Sequence, residues 1–347
     1  MIERLFYAGV THKTAAVAVR ERMVPTHERI EEMLDQLRSY AAERLVLSTC
    51  CRFELYVVAS ADRGISRLED LAAAANLPID ALRGHLRVLR GPDAAAHCLR
   101  VAAGLESQLI GEGQVLGQLR AAFELASSRR AVGPILSALF RSAIHAGKRV
   151  RHETAINQSA TSYAHLAVER VRQALGPTGG TVLILGAGGL AECAASLLAK
   201  EDRYRIVIVS RHLERAARLA KGIGASVGSI EQLPSLLNRA AAVFGCASSS
   251  RFLLEASAFK EARLRRGIVV FDMAVPRNVD PAVGNLPGVD LEHLDMMAGD
   301  HSPRIAAIVH AERIIGEELS RLHRWTRCRR DVLLAGRTGS SAEGAAA

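Results

Sequence analysis

The stretch Thr181–Glu192, TVLILGAGGLAE, constrains this chain more than any other. Five apolar or β-branched residues in a row read as a buried parallel strand, and the glycines that follow force a tight turn into a helix, Leu190–Lys200. A second apolar run at Arg205–Ser210 completes a strand–helix–strand unit, and further strands are expected at Ala241–Gly245 and Ile268–Asp272. That order predicts a doubly wound, Rossmann-type dinucleotide-binding domain over residues 158–300. The glycine pattern is GxGxxA. Gly186 makes the turn, Gly188 lets the backbone approach a pyrophosphate on the helix N-terminus, and Ala191 stands for the third glycine. Gly186, Ala187, Gly188, Gly189, Leu190 and Ala191 are therefore the expected cofactor cradle. The second strand ends in Ser210-Arg211, with Arg215 one turn on. No carboxylate stands there to hold ribose hydroxyls, and a guanidinium suits a 2′-phosphate, so NADPH is expected over NADH.

Upstream, the pattern changes. Strands are expected at Leu5–Thr11, Leu45–Ser48, Phe53–Val58 and Leu86–Leu89, with helices at Thr26–Tyr40 and Ile65–Ala75. This mixture predicts an α+β domain with a small antiparallel sheet. From Asp93 the chain turns helical: Ala94–Leu105, Gln114–Ser127, Ile135–Val150 and Ser162–Leu175. The expected division is 1–157, 158–300 and 301–347, the last built on a long helix from Arg304 to about Leu334. Gly336–Ala347, rich in Gly, Ser and Ala, is expected to be irregular.

Cys50 lies between two strand-like runs, where a nucleophile can be held still and still be reached. Arg52 and Glu54 follow at alternate positions and share one strand face. Alone, a cysteine reads as a buried core residue; a thiol, guanidinium and carboxylate on one hairpin read as a reactive site. The six cysteines show no CxxC spacing, so neither a metal site nor a disulfide framework is expected. The start, MIERLFYAGV, lacks a leader pattern, and no run of about 18 apolar residues offers a membrane span. A cytoplasmic location is expected. The formal net charge of +9 favours a polyanionic partner such as RNA. Arginines cluster at Arg141–Arg151 and again at Arg321–Arg330, where Trp325 sits among them.

Six segments together resemble the glutamyl-tRNA reductase family: GVTHKTA at Gly9–Ala15, LSTCCRFELY at Leu47–Tyr56, His97–Leu119, GKRVRHETAI at Gly147–Ile156, Val182–Glu192 and DMAVPRNVDP at Asp272–Pro281. The resemblance implies a catalytic domain, an NADPH domain and a helical dimerisation region on a spinal helix. It implies reduction of glutamyl-tRNA to glutamate-1-semialdehyde, the first step of tetrapyrrole synthesis, through a thioester on Cys50. By the same resemblance His97 assists proton transfer, Arg52 clamps the glutamyl carboxylate and Thr49 orients substrate. Ser107, Glu112 and Gln114 line the same pocket, Ser159 more loosely, while His12 is structural. A homodimer and a glutamate-1-semialdehyde aminomutase are the implied protein partners. The chain departs from the pattern at Cys51, where the family has Asn, and at Gly113, where it has Pro. Its C-terminal region is also short. These departures raise the alternative of a divergent paralogue acting on another aminoacyl-tRNA or acyl thioester. A non-catalytic protein that sequesters glutamyl-tRNA or NADPH is the third reading.

Overall fold

A computed structural model describes residues 2–59, 84–158, 163–247, 249, 251–262, 267–297 and 305–343. The helix expected at Ile65–Ala75 and the residue Ser159 lie outside the described residues. The chain forms two compact units. One gathers 1–19, 23–160 and 302–347; the other holds 20–22 and 161–301.

The first unit contains strands β1 (Leu5–Thr11), β2 (Ala41–Ser48), β3 (Arg52–Ala59) and β4 (Arg87–Arg90), in the order β2-β3-β1-β4. All its pairs are antiparallel. Helix α1 (His27–Gln36) starts at Thr26, whose hydroxyl accepts the Arg29 amide and so satisfies one of the N–H groups a helix start leaves unpaired. It ends sooner than Tyr40, in a 3₁₀ turn at Leu37–Ser39. Helix α2 (Gly91–Ala103) begins with Pro92 in its first turn and ends at Gly104 in the left-handed conformation, the usual chemistry of helix ends. Helices α3 (Gln114–Ser128) and α4 (Pro134–Glu153) follow. The core joins both sheet faces to α2, α3 and α4.

The long C-terminal helix runs without a break from Ile305 to Glu343. It continues past Gly336 into the stretch expected to be irregular, because extending an existing helix costs far less than starting one. Its apolar stripe needs cover, and Ala307, Ala311, Ile314, Ile315 and Leu322 find it by packing into the first unit's core. Arg100 grips Glu312 with three hydrogen bonds, and Arg149 pairs with Glu318 at 2.8 Å.

The second unit starts with α5 (Tyr163–Leu175) and carries six parallel strands in the order β10-β9-β8-β5-β6-β7. These are β5 (Gly180–Leu185), β6 (Tyr204–Val209), β7 (Ser226–Gly228), β8 (Ala240–Gly245), β9 (Ile268–Asp272) and β10 (Val289–His293). After β5 the chain winds outward through β6 and β7, then returns to place β8 on the other side of β5. The switch point between β5 and β8 is where a doubly wound sheet binds its ligand. The edge strands β7 and β10 are additions to the sequence reading. Both are short, and β7 is only Ser-Val-Gly, too little for a pattern of two to register. Among the described residues, no helix is long and apolar enough to cross a membrane.

Candidate active site

Strands β2 and β3 form a hairpin whose final rung is the Thr49 amide on the Arg52 carbonyl, 2.8 Å. Cys50 and Cys51 are the two residues of its tip. Three bonds hold the tip in shape: the Thr49 rung, the Cys51 amide on Thr49 Oγ1 at 3.1 Å, and the His12 amide on the Cys51 carbonyl at 2.9 Å. Thr49 and His12 thus fix the turn. Cys50 is half-buried and reachable, while Cys51 is buried. The two sulfurs are 3.6 Å apart, and Cys51 Sγ donates to Gln108 Oε1 at 3.8 Å.

The pleat sends Arg52, Glu54 and Tyr56 to one face of β3. That face is buried: Glu54 is 0% exposed and Arg52 2%. Four donors converge on the Glu54 carboxylate. Arg52 Nη1 reaches Oε1 at 2.8 Å, His97 Nε2 at 3.1 Å and the Tyr7 phenol at 3.4 Å, and the Tyr56 phenol reaches Oε2 at 2.9 Å. Burial alone would raise this carboxyl, but the Arg52 and His97 charges and their hydrogen bonds outweigh it and hold it down to about 2. Glu54 is therefore an anion at any working pH.

The register explains why the neighbouring strand leaves room. Gly9 stands directly across from Glu54, on the face of Tyr7. A methyl group there would overlap the Tyr7 phenol oxygen and lie 3.1 Å from Glu54 Cγ, so glycine is required by close approach.

His97 comes from α2 and is 4% exposed, its ring 4.3 Å from that of Tyr7. With Nε2 on a carboxylate, a neutral ring carries its proton there and its lone pair at Nδ1. Nδ1 is buried and has no hydrogen-bond partner among the described residues. The carboxylate thus fixes the orientation of the His97 ring.

Arg52 also donates Nη2 to the Glu106 carbonyl at 2.5 Å, and the Glu106 carboxylate holds Lys13 at 2.5 Å. The loop after α2 is thus stitched to the hairpin. Its far end is held by Arg151, which donates to the carbonyls of Ala102, Gly147 and Glu112 at 2.7–2.8 Å. Ser107 is buried in this loop. Burial lifts the Glu112 carboxyl above its usual range, against the pull of Arg52 and Arg151. Gln114 is exposed at the first position of α3.

The structure thus gathers Thr49, Cys50, Arg52 and His97, with the Ser107–Glu112 loop tied alongside. It adds Tyr7, Tyr56, Gly9 and Arg151. The two tyrosines carried a signal, the alternation Arg52-Glu54-Tyr56 and its partner across the strand. Arg151 stood out only as one of a basic cluster suited to RNA, whereas its guanidinium is spent on three backbone carbonyls.

In the second unit, a cavity of about 170 Å³ opens at the switch point. It is lined by Gly186 to Gly188 after β5, Ser210, Arg211 and Arg215 after β6, and Cys246 and Ala247 after β8. Gly186 has φ +111°, and an added Cβ would meet the Ala247 backbone at 3.0 Å. Gly188 caps helix α6 (Gly189–Leu198), where Leu190 sits in the first turn and Ala191 is fully buried. The exposed Gly188–Gly189 corner leaves helix N–H groups open to an anion. Among the described residues no carboxylate lines the cavity, and Arg211 and Arg215 both do. The residues present therefore fit a phosphate-bearing dinucleotide.

Comparison with known proteins agrees with both halves. The description "Glutamyl-tRNAGlu reductase, N-terminal domain" matches residues 8–154, and "Shikimate / quinate 5-dehydrogenase" matches residues 169–299. Glutamyl-tRNA reductase of Sorangium cellulosum is 35% identical over 93% of this chain and 66% of its own length. That of Desulforudis audaxviator is 34% identical over 90% and 72%. The solved glutamyl-tRNA reductase of Methanopyrus kandleri superposes with a TM-score of 0.55 at 30% identity, covering 96% of this chain and 83% of that one. With a matched N-terminal domain, a dehydrogenase-type nucleotide fold and relatives aligned along most of their length, the chain belongs to the glutamyl-tRNA reductase family of oxidoreductases.

Proposed function

We propose that the chain reduces glutamyl-tRNA to glutamate-1-semialdehyde with NADPH, at the entry to tetrapyrrole synthesis. The observation that carries this reading is the reachable Cys50 thiol on a hairpin tip whose next strand residues hold Arg52 and His97 on one buried anion. The Cys50 thiolate attacks the glutamyl ester carbonyl, the carbon–sulfur bond forms, and the ribose oxygen of the tRNA leaves as an alcohol. His97, its tautomer set by Glu54, moves the proton this exchange requires. Arg52 spends two of its five N–H donors on Glu54 and the Glu106 carbonyl. The rest of its fork takes the substrate's side-chain carboxylate. Gly186 to Ala191 hold the pyrophosphate of the dinucleotide, and Ser210, Arg211 and Arg215 its ribose phosphate. NADPH bound there supplies the hydride that turns the thioester into aldehyde and restores the thiol. Thr49 keeps the turn in shape, and Ser107, Glu112 and Gln114 complete the substrate pocket. The aldehyde passes to an aminomutase in the cytoplasm, and the chain acts as a homodimer.

The test is acylation without reductant. Labelled glutamyl-tRNA should leave an acid-stable, hydroxylamine-sensitive adduct on the chain, absent from Cys50→Ser. Adding NADPH should discharge it, and NADH should do so more slowly. Reduction by Cys50→Ser at the parent rate would end the covalent reading. Cys51 and Gly113, at the hairpin tip and before α3, favour a second reading, a divergent paralogue acting on another acyl-tRNA or acyl thioester. Growth of a strain auxotrophic for 5-aminolevulinate decides between them.

A further inference from the structure

The thioester chemistry needs one thiol at the hairpin tip, and this chain has two. Their sulfurs are in van der Waals contact at 3.6 Å, on adjacent residues of a two-residue turn. Cys50 is the reachable member, and Cys51 lies beneath it. The backbone of Cys51 is pinned at both ends, its amide by Thr49 Oγ1 and its carbonyl by the His12 amide, and its sulfur rests on Gln108. An oxidant that reaches Cys50 therefore leaves its product beside a second thiol, 3.6 Å off, whose backbone is held in place.

We propose that Cys50 and Cys51 form a reversible oxidation site, with Cys51 as the resolving thiol for a peroxide-oxidised Cys50. The inference rests on Cys50 being the acyl acceptor only for its effect on activity; the sulfur chemistry stands apart. The Cys50 thiolate attacks hydrogen peroxide, takes one oxygen to become a sulfenic acid, and releases hydroxide. The Cys51 sulfur then attacks the Cys50 sulfur. An S–S bond forms, the S–O bond breaks, and the oxygen leaves as water with the Cys51 proton. The pair has lost two electrons and the peroxide has gained them. Closure brings the sulfurs from 3.6 Å to the ~2 Å of a disulfide, and because adjacent Cα atoms are only ~3.8 Å apart it needs the peptide between them to distort as the side chains turn. The product is a strained eight-membered ring, which dithiols open readily. The same event spares Cys50 the irreversible sulfinic acid. A peroxide burst would thus pause the enzyme, and thiol reductants would restart it.

The experiment uses the full-length reduced chain and hydrogen peroxide, followed by alkylation and trypsin. Cleavage after Arg44 and Arg52 yields Leu45–Arg52, a peptide with both cysteines and no other. The expected result is a peptide lighter by two hydrogens that resists alkylation until dithiothreitol is added. Glutamyl labelling should fall more than tenfold with peroxide and return with dithiothreitol. In Cys51→Ser the same treatment should give a dimedone-reactive Cys50 instead. A parent peptide carrying dimedone or sulfinic acid on Cys50, with Cys51 still alkylated, overturns the proposal. If the disulfide forms but the reduced chain never acquires a glutamyl group, the proposed function fails and the oxidation site stands. If the chain acylates but no disulfide forms, the reverse holds.

Discussion

Glu54 in the first unit and Asp272 in the second are both buried to 2% exposure or less, yet they are held in opposite ways. Glu54 receives its bonds from side chains, two of them able to carry charge, and its carboxyl sits at about 2. Asp272 ends β9 and accepts backbone amides from Ala274 at 3.2 Å and Val279 at 2.9 Å. Burial raises its carboxyl to about 6, and the amide bonds and the Arg277 charge only temper that rise. Arg277 is engaged elsewhere, by Glu21 at 2.6 Å. Peptide dipoles are enough to shape a loop around a carboxylate. Here the amide bonds leave the buried Asp272 carboxyl above its ordinary range, whereas charge in contact holds Glu54 below its own.

The contrast can be broken most forcefully at Glu54. Glu54→Gln strips the compensation from the buried Arg52, and losing one partner of a buried pair costs about 3–5 kcal/mol. Denaturant unfolding of the full chain should show this loss, and Cys50 acylation should drop along with it.

The second comparison is a pH scan, in which the two groups act with opposite sign. Glu54 is depressed, so its contribution is complete above the ordinary glutamate range and is lost as pH falls toward 2. Asp272 is raised, so its contribution is complete below the ordinary aspartate value of 3.8 and is lost as pH climbs through about 6. The span is worth about 3 kcal/mol. Asp272→Asn should flatten stability between pH 4 and 6 and leave the acid limb untouched; a slope that survives would mean that Asp272 does not titrate there.

The finest test separates the two phenols on Glu54. Tyr56→Phe, which removes a 2.9 Å bond to a charged acceptor, should cost about 1.5–3 kcal/mol. Tyr7→Phe, at 3.4 Å, should cost under about 1 kcal/mol. Equal losses would show that the network does not rank its donors by distance.

Much of this was legible in residue order. TVLILGAGG announces strand, turn and helix by local rules alone, and the structure places that turn at the switch point of a parallel sheet. The Cys50 hairpin was legible for the same reason. What sequence could not supply was who meets Glu54. Alternation puts Arg52, Glu54 and Tyr56 on one face, but His97 lies 43 residues away on a helix, and only folding brings it to 3.1 Å. Strand β2 starts at Ala41 rather than Leu45, because Ala-Ala-Glu-Arg has no β signature of its own and is extended by pairing with β3.

Strand β3 is buried along its described length, with Arg52, Glu54 and Tyr56 on one face and Phe53, Leu55 and Val57 on the other. A sheet error of one residue would exchange those faces. An ion pair would enter an apolar layer, and three apolar side chains would confront His97 and Tyr7. Such a slip would bury charge without its partners, so the buried polar face strongly specifies the register. A chain that has folded at all has, by that fact, set its two thiols at the tip of the hairpin.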